Sequence, residues 1–507
     1  MTGFSKLVRY SSHHLVGRVV GLALGFASFP VFTRLFSVSD YGRINLVLQS
    51  VLIFTVLSKA GLQNSVQRFE LELTRGTPTE RQRFFCTIFI GNAAIALTCG
   101  CLFLIGVLLL PASQLPPAVR NIALLGAVLV VARAVRAMYG NMLQIEGKTV
   151  LLNVLEVSVK AASIAAVCLF AFGWQKTSAA FFFGLALVEG GTILALLPDL
   201  SRRMGKSIRL FDFALLRRLV VFGLPLMWAE LAWVILDSGN RFIVQIFQGT
   251  AAVGYFAAAY NIGAYVQEVV LTPLNFSFFP VCMDLWTNQG EDQTRDFIRR
   301  SLSYFVMFAC GIVAITLAIS GDAIVVLASR KYLQAHVLLP WLIAGLSACT
   351  LQIFFRTGLL LRNLPSKVAH ATTVAAVFNV VLNLILVPRI GILGAAVTAF
   401  LSYLLWIVLM AWASHKVFPI CIEYGPIVRY LACGAVTALV AGHVFLSNTV
   451  LRLLVRALVG LTCYAGLILL LDTRIRALVS KLLTRGLLAL RSLRDPELRA
   501  RIPANSR

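Results

Sequence analysis

The apolar positions of this chain neither alternate with polar ones nor recur at intervals of three and four. They run unbroken for about 18 to 27 residues and then stop at short polar gaps. Each run is long enough to cross a hydrocarbon core of roughly 30 Å as an α-helix. The pattern predicts spans at 15–36, 44–62, 84–110, 119–138, 151–173, 178–198, 215–238, 251–271, 302–320, 333–361, 368–387, 390–412, 427–446 and 453–471. The expected fold is therefore all-α, a polytopic membrane protein of about fourteen transmembrane helices. A membrane β-barrel would show alternating segments of about ten residues instead.

The polar gaps differ in charge. With the N-terminus, which carries Lys6 and Arg9, placed in the cytoplasm, the segments on that side hold about 29 of the 45 Lys and Arg residues. The opposite loops hold about 8, among them Arg43, Arg241, Lys331 and Arg452. Both termini are thus expected in the cytoplasm, as an even helix count requires. Composition agrees: 59% of residues are hydrophobic, 13% are charged, and the mean hydropathy is +0.86. The net charge of +24 would suggest nucleic acid in a soluble protein, but the loop asymmetry accounts for most of it. The rest lies in the tail from Arg474, where Ile475, Leu478, Leu482 and Leu483 stand at helical spacing among Arg474, Lys481, Arg485 and Arg491. That pattern suits a helix lying on an anionic leaflet, and no nucleic acid is expected as a partner.

A weak internal repeat organises the spans. TRLFSVSDYGRINLV at 33–47 is echoed by VQIFQGTAAVGYFAAAYNI at 244–262, with Arg34-Leu-Phe facing Gln245-Ile-Phe and Tyr41-Gly42 facing Gly254-Tyr255. Both lie between the first two spans of a set. The expected domains are a six-helix lobe over 1–200, a second six-helix lobe over 201–415, two additional helices over 416–472 and a basic amphipathic tail over 473–507. Six is even, so both lobes enter the membrane from the same side. Such parallel repeats suit a transporter whose path runs between the lobes.

Enzymatic chemistry finds no foothold. The ten cysteines fall almost entirely in apolar runs, and none forms a C-x-x-C pair, so they read as small buried hydrophobes. There is no phosphate loop, H-E-x-x-H or G-x-S-x-G motif, and the loops are too short for a catalytic domain. Neither a metal nor a cofactor is expected, and the first run is too long for a cleaved signal peptide.

Three stretches resemble the oligosaccharide flippase, or polysaccharide-biosynthesis, membrane protein family: FTRLFSVSDYGRINLV at 32–47, FGLPLMWAELAWVILDSGNRFIVQIFQGTAAVGYFAAAYNI at 222–262, and NVVLNLILVPRIGILGAAVTAFLSYLL at 379–405. The resemblance implies the multidrug/oligosaccharidyl-lipid/polysaccharide exporter fold, with MATE-like lobes. It implies the movement of undecaprenyl-diphosphate-linked sugars, such as an O-antigen or exopolysaccharide repeat unit, across a bacterial inner membrane. Alternatives within the superfamily are a flippase for the peptidoglycan lipid precursor and a multidrug/cation antiporter. Implied partners are the lipid-linked oligosaccharide, membrane lipids, and a polysaccharide polymerase with its assembly proteins.

Such a substrate needs a hydrated cationic cavity for its diphosphate and a greasy side door for its polyprenyl tail. Candidate cations in the spans are Arg18, Arg34, Lys59, Arg133, Arg136, Lys160 and Arg356. Arg18, Arg133 and Arg136 could instead snorkel, and Lys160 could pair with Glu156 four residues before it. Candidate groups for ion coupling are Glu156, Glu189, Glu230, Asp237 and Glu268. Neutralising cations across a lobe interface is their alternative role, since an uncompensated charge in the bilayer centre costs on the order of 2.5–3.5 kcal/mol. Trp228, Trp233, Tyr260 and Tyr265 could stack on sugars or simply pack. Gly21 and Gly25 allow close helix approach, and Pro30, Pro225 and Pro273 could kink helices.

Overall fold

The structure is a computed structural model that describes residues 3–74, 78–109, 120, 122–204, 210–420, 422–477 and 479–480. The described residues form helices: α1 (Gly3–Leu35), α2 (Val38–Lys59), α3 (Leu62–Thr74), α4 (Pro78–Leu109), α5 (Ala123–Ile145), α6 (Thr149–Gly173) and α7 (Ser178–Met204). They continue with α8 (Phe213–Asn288), α9 (Glu291–Ala323), α10 (Leu339–Leu361), α11 (Pro365–Ile390), α12 (Ile392–His415), α13 (Tyr424–Gly442) and α14 (Thr449–Leu471). A π-helical turn at Ile324–Ala328 and a 3₁₀ stretch at Arg330–Val337 join α9 to α10.

Among the described residues, thirteen helical stretches are long and apolar enough to cross a membrane. One of them, Phe213–Val269, is 57 residues long, nearly three times the roughly 20 residues that one crossing requires. It contains both expected spans 215–238 and 251–271. Gly249, at φ 79°, breaks its helical geometry between them, so about fourteen crossings stand. This is a multi-pass membrane protein.

Local sequence explains where helices start and stop. Ser37 caps α2 by accepting from the Asp40 amide at 3.0 Å, a side-chain substitute for a missing helical acceptor. At the other end Ala60 and Gly61, with φ of 45° and 69°, break the helix between α2 and α3. Asp212 caps α8 through the amides of Ala214 and Leu215, and Asn448 caps α14 in the same way. The outward faces stay apolar, with Leu169, Ile246 and Leu470 at least 70% exposed, as lipid-facing surfaces must be.

By packing, the chain parts into two units: 1–298 with 323–420, and 299–322 with 421–507. The segment 299–322, expected within the 201–415 lobe, therefore groups with α13 and α14. Within unit two, Asp322 accepts from Arg452 at 2.9 and 3.0 Å and from Arg456 at 3.1 Å, and the Tyr464 hydroxyl donates to the Met307 carbonyl at 2.7 Å. Of the tail, residues 481–507 lie outside the described residues, so the expected surface helix is seen only in its first turns.

In unit one, α2 and α8 touch at two places through glycines. A Cβ on Gly42 would overlap the Thr250 carbonyl oxygen and lie 2.9 Å from the Gly254 nitrogen, and one on Gly254 would overlap the Val38 carbonyl. The echoed Tyr41-Gly42 and Gly254-Tyr255 positions thus pack against each other. Near the other end of α2, Gly61 and Gly223 meet backbone to backbone, beside a 2.6 Å bond from Ser65 Oγ to the Leu219 carbonyl.

Candidate functional site

A cavity of about 870 Å³ opens in unit one between α1, α3, α5, α6, α7 and α8. Four cations, Arg18, Arg133, Arg136 and Lys160, face it with three carboxylates, Glu156, Glu189 and Glu268. The spacing of Arg133 and Arg136 puts both on one face of α5. Glu189 of α7, only 3% exposed, accepts from Arg133 Nε at 3.1 Å and Arg136 Nε at 3.2 Å. A second bond runs from Arg136 to Glu156 of α6 at 2.6 Å. Burying a charge is costly unless it is paired, and here one carboxylate orients two guanidiniums by their Nε edges. Gln67 donates to Asn141 at 2.9 Å, and Asn141 to the Gln63 carbonyl at 2.9 Å, which completes a polar wall.

The expected Glu156–Lys160 pair is replaced by longer-range partners. Lys160 reaches across to the Gly21 carbonyl of α1, and Glu156 serves Arg136. Arg18 lies 3.7 Å from Glu268 of α8. A Cβ on Gly25 would fall 2.9 Å from Lys160 Nζ, the end of a flexible side chain.

Three expected cavity cations are placed elsewhere. Lys59 of α2 pairs with Glu230 of α8, which also accepts from Gln63 at 3.0 Å. Arg34, at the C-terminal end of α1, donates to the Pro30 carbonyl at 3.0 Å, to Val326 at 2.7 Å and to Leu327 at 3.4 Å. It therefore clasps the π-helical turn, while Lys331 returns to the carbonyls of Arg34 and Phe36. The π-helical turn leaves carbonyls pointing outward that a planar guanidinium can bridge. Arg356 is exposed on α10 and does not line the cavity.

The carboxylates sort by partner. Glu156, Glu189, Glu230 and Glu268 each face a cation. Asp237 instead accepts from the hydroxyls of Tyr260 and of Tyr403, the latter at 3.2 Å. Ser238 links it to Gln49 of α2 at 2.7 Å. One turn on, Asn240 accepts from Asn383, which also donates to Asn379 Oδ1 at 3.1 Å. Arg241 is 2% exposed with its guanidinium 4.3 Å from the Tyr260 ring centre. It had been expected in an external loop, but α8 runs on to Gly249 and carries it inside. Its spacing from Asp237 at i+4 was the available signal.

The aromatic candidates mostly pack. Tyr265 donates to the Gly25 carbonyl at 2.9 Å and meets Phe26 edge-on at 5.6 Å. Trp233 lies 5.3 Å from Trp406. Only Trp228 among the four is exposed.

Comparisons with known proteins bear on the family and the fold. The chain is 25% identical over 222 residues to an uncharacterized membrane protein of Methanocaldococcus jannaschii, covering 42% of each. It is 23% identical over 274 residues to the probable flippase AglR of Haloferax volcanii, covering 51% of this chain and 57% of that one. The chain spans about half the length of these curated relatives. Among solved structures, the lipid II flippase MurJ in an inward closed conformation superposes with a TM-score of 0.71 at 13% identity, over 93% of this chain and 100% of that one. An inward-facing multidrug resistance MATE family transporter gives 0.60 at 13% identity, over 79% and 94%. The fold is thus that of the MurJ and MATE transporters. The profile of the polysaccharide biosynthesis protein family matches residues 7–286, and the chain belongs to that family.

Proposed function

We propose that this protein is a flippase that carries a polyprenyl-diphosphate-linked oligosaccharide, an O-antigen or exopolysaccharide repeat unit, across a bacterial inner membrane. The observation that carries the reading is the cavity with Arg18, Arg133, Arg136 and Lys160 set in membrane-crossing helices. A glycan diphosphate cannot enter hydrocarbon, whereas guanidiniums grip phosphate through paired donors. Glu189 holds Arg133 by its Nε edge, which leaves the rest of that head for the substrate, while Arg136 is held by both Glu189 and Glu156 and contributes its charge. A fold likeness to MurJ that extends over 93% of the chain favours a lipid-linked cargo over a drug. Loss of the gene should deplete surface glycan and accumulate lipid-linked units at the face of synthesis. Intact surface glycan with raised drug sensitivity would overturn the reading.

Two lobes within unit one, over 1–200 and over 201–298 with 323–415, would rock about the α2–α8 contacts. The Gly42–Gly254 contact closes the external end and the Gly61–Gly223 contact the cytoplasmic end, with both termini in the cytoplasm. Transport requires each contact to open in turn, as population shifts between two packings. Arg34 stabilises external closure through the Val326 and Leu327 carbonyls, in place of lining the path. Arg34→Ala should remove about 1–2 kcal/mol from this closure and speed amide exchange across 324–331 about tenfold, with Arg34→Lys intermediate. Unchanged exchange would separate Arg34 from the closure.

Asp237 is the coupling residue in this reading, because its carboxylate meets the hydroxyls of Ser238, Tyr260 and Tyr403 where the other carboxylates meet cations. Asp237→Asn should make transport insensitive to an imposed proton or sodium gradient while leaving binding of the substrate intact. Retained gradient dependence would assign coupling elsewhere.

A further inference from the structure

Unit two carries a cavity of its own, about 630 Å³, which shares no lining residue with the cavity of unit one. It sits where three apolar runs give way to charge: at Arg299 and Arg300 of α9, at the start of α13, and just past the end of α14. Four arginines, Arg299, Arg300, Arg429 and Arg474, line it against two carboxylates, Glu423 and Asp472.

Both carboxylates are already committed to building the wall. Glu423 bridges two helices' ends, accepting from Arg299 at 2.9 Å and Arg474 at 2.7 Å. Asp472, 3% exposed, accepts from the Tyr430 hydroxyl at 2.8 Å and from the amides of Arg474 and Ile475 at 2.9 and 3.3 Å. Burial opposes its charge, yet these donors and Arg429 hold its pKa below the usual carboxylate value. Arg429 is fixed by the Leu471 carbonyl at 2.9 Å. Two carboxylates thus preorganise three of the four guanidiniums, those of Arg299, Arg474 and Arg429, and among the groups lining the cavity the surplus charge is positive. Beside the cavity α13 presents exposed Tyr424, Val428 and Leu431, and α14 presents Leu470 and Leu471, an apolar flank suited to acyl chains.

We propose that this cavity binds the phosphate headgroup of an anionic membrane lipid, a site separate from the transport cavity. Phosphate takes the paired donors of arginine, and the apolar flank selects an anion that arrives with hydrocarbon attached. Native mass spectrometry of the full-length protein tests this with phosphatidylglycerol and phosphatidylcholine added in turn, in the presence and absence of inorganic phosphate. The wild type should retain phosphatidylglycerol in preference to phosphatidylcholine. Arg300→Gln with Arg429→Gln should weaken that retention about tenfold or more. Glu423→Gln, which removes negative charge but no arginine, should strengthen it a few-fold, an effect opposite to that of a merely damaged fold. Equal retention of the two lipids by the wild type, no loss in the arginine variant, weaker binding in Glu423→Gln, or displacement by millimolar inorganic phosphate would each overturn the assignment. The last would mark a soluble anion as the ligand.

Discussion

Replacing Arg133 and Arg136 together with glutamine should lower transport at least about a hundredfold, since each charged contact to phosphate contributes roughly 1.5–3 kcal/mol. The double variant also strips Glu189 of both donors, and a buried carboxylate left unpaired destabilises a protein by about 3–5 kcal/mol. Adding Glu189→Gln removes that charge. The triple variant should therefore recover its abundance and melting temperature in the membrane while transport stays lost. If transport returned together with stability, the two arginines would be structural partners of Glu189 and nothing more.

Gly42→Ala should be nearly as severe. The new methyl group would overlap the Thr250 carbonyl and press on the Gly254 nitrogen, and neither backbone atom can swing aside as a side chain could. The external end would then fail to close, and a transporter that cannot close one end cannot alternate. Transport should fall more than about tenfold, and a reagent applied from outside should reach the cavity in every molecule. Gly173→Ala, where a Cβ meets open space, supplies the control and should leave transport unchanged. Normal transport by Gly42→Ala would dissociate this glycine contact from the cycle.

The membrane-crossing helices were legible in the sequence because hydropathy over some twenty residues is a local signal that tertiary context seldom overrides. The echo around Tyr41-Gly42 and Gly254-Tyr255 was legible too, though not the reason for it, which is that the two glycines let the repeated segments touch. Arg18, Arg133, Arg136 and Lys160 were readable as charges within the spans, with snorkelling or a local pair as the alternative, and the structure sets all four along one cavity. Arg34 was not readable in the same way, because its partners are backbone carbonyls of Val326 and Leu327 nearly three hundred residues away, and a carbonyl has no sequence signature. Lys59 was hidden likewise by Glu230. Arg241 was misplaced because charge marks loops on average, whereas α8 continues past it and Tyr260 covers its guanidinium. The grouping of 299–322 with α13 and α14 turns on Asp322, whose two arginine partners lie some 130 residues on.

The central claim is that the unit-one cavity receives the diphosphate of a lipid-linked sugar. Purified protein reconstituted in liposomes with a fluorescent polyprenyl-diphosphate-linked sugar tests it most directly, with dithionite added outside to bleach the exposed leaflet. The expected result is protein-dependent exchange between leaflets that the Arg133→Gln, Arg136→Gln, Glu189→Gln triple variant does not support and that a sugar on a neutral lipid does not show. Exchange at the same rate by the triple variant, or by the wild type on the neutral lipid, would contradict it.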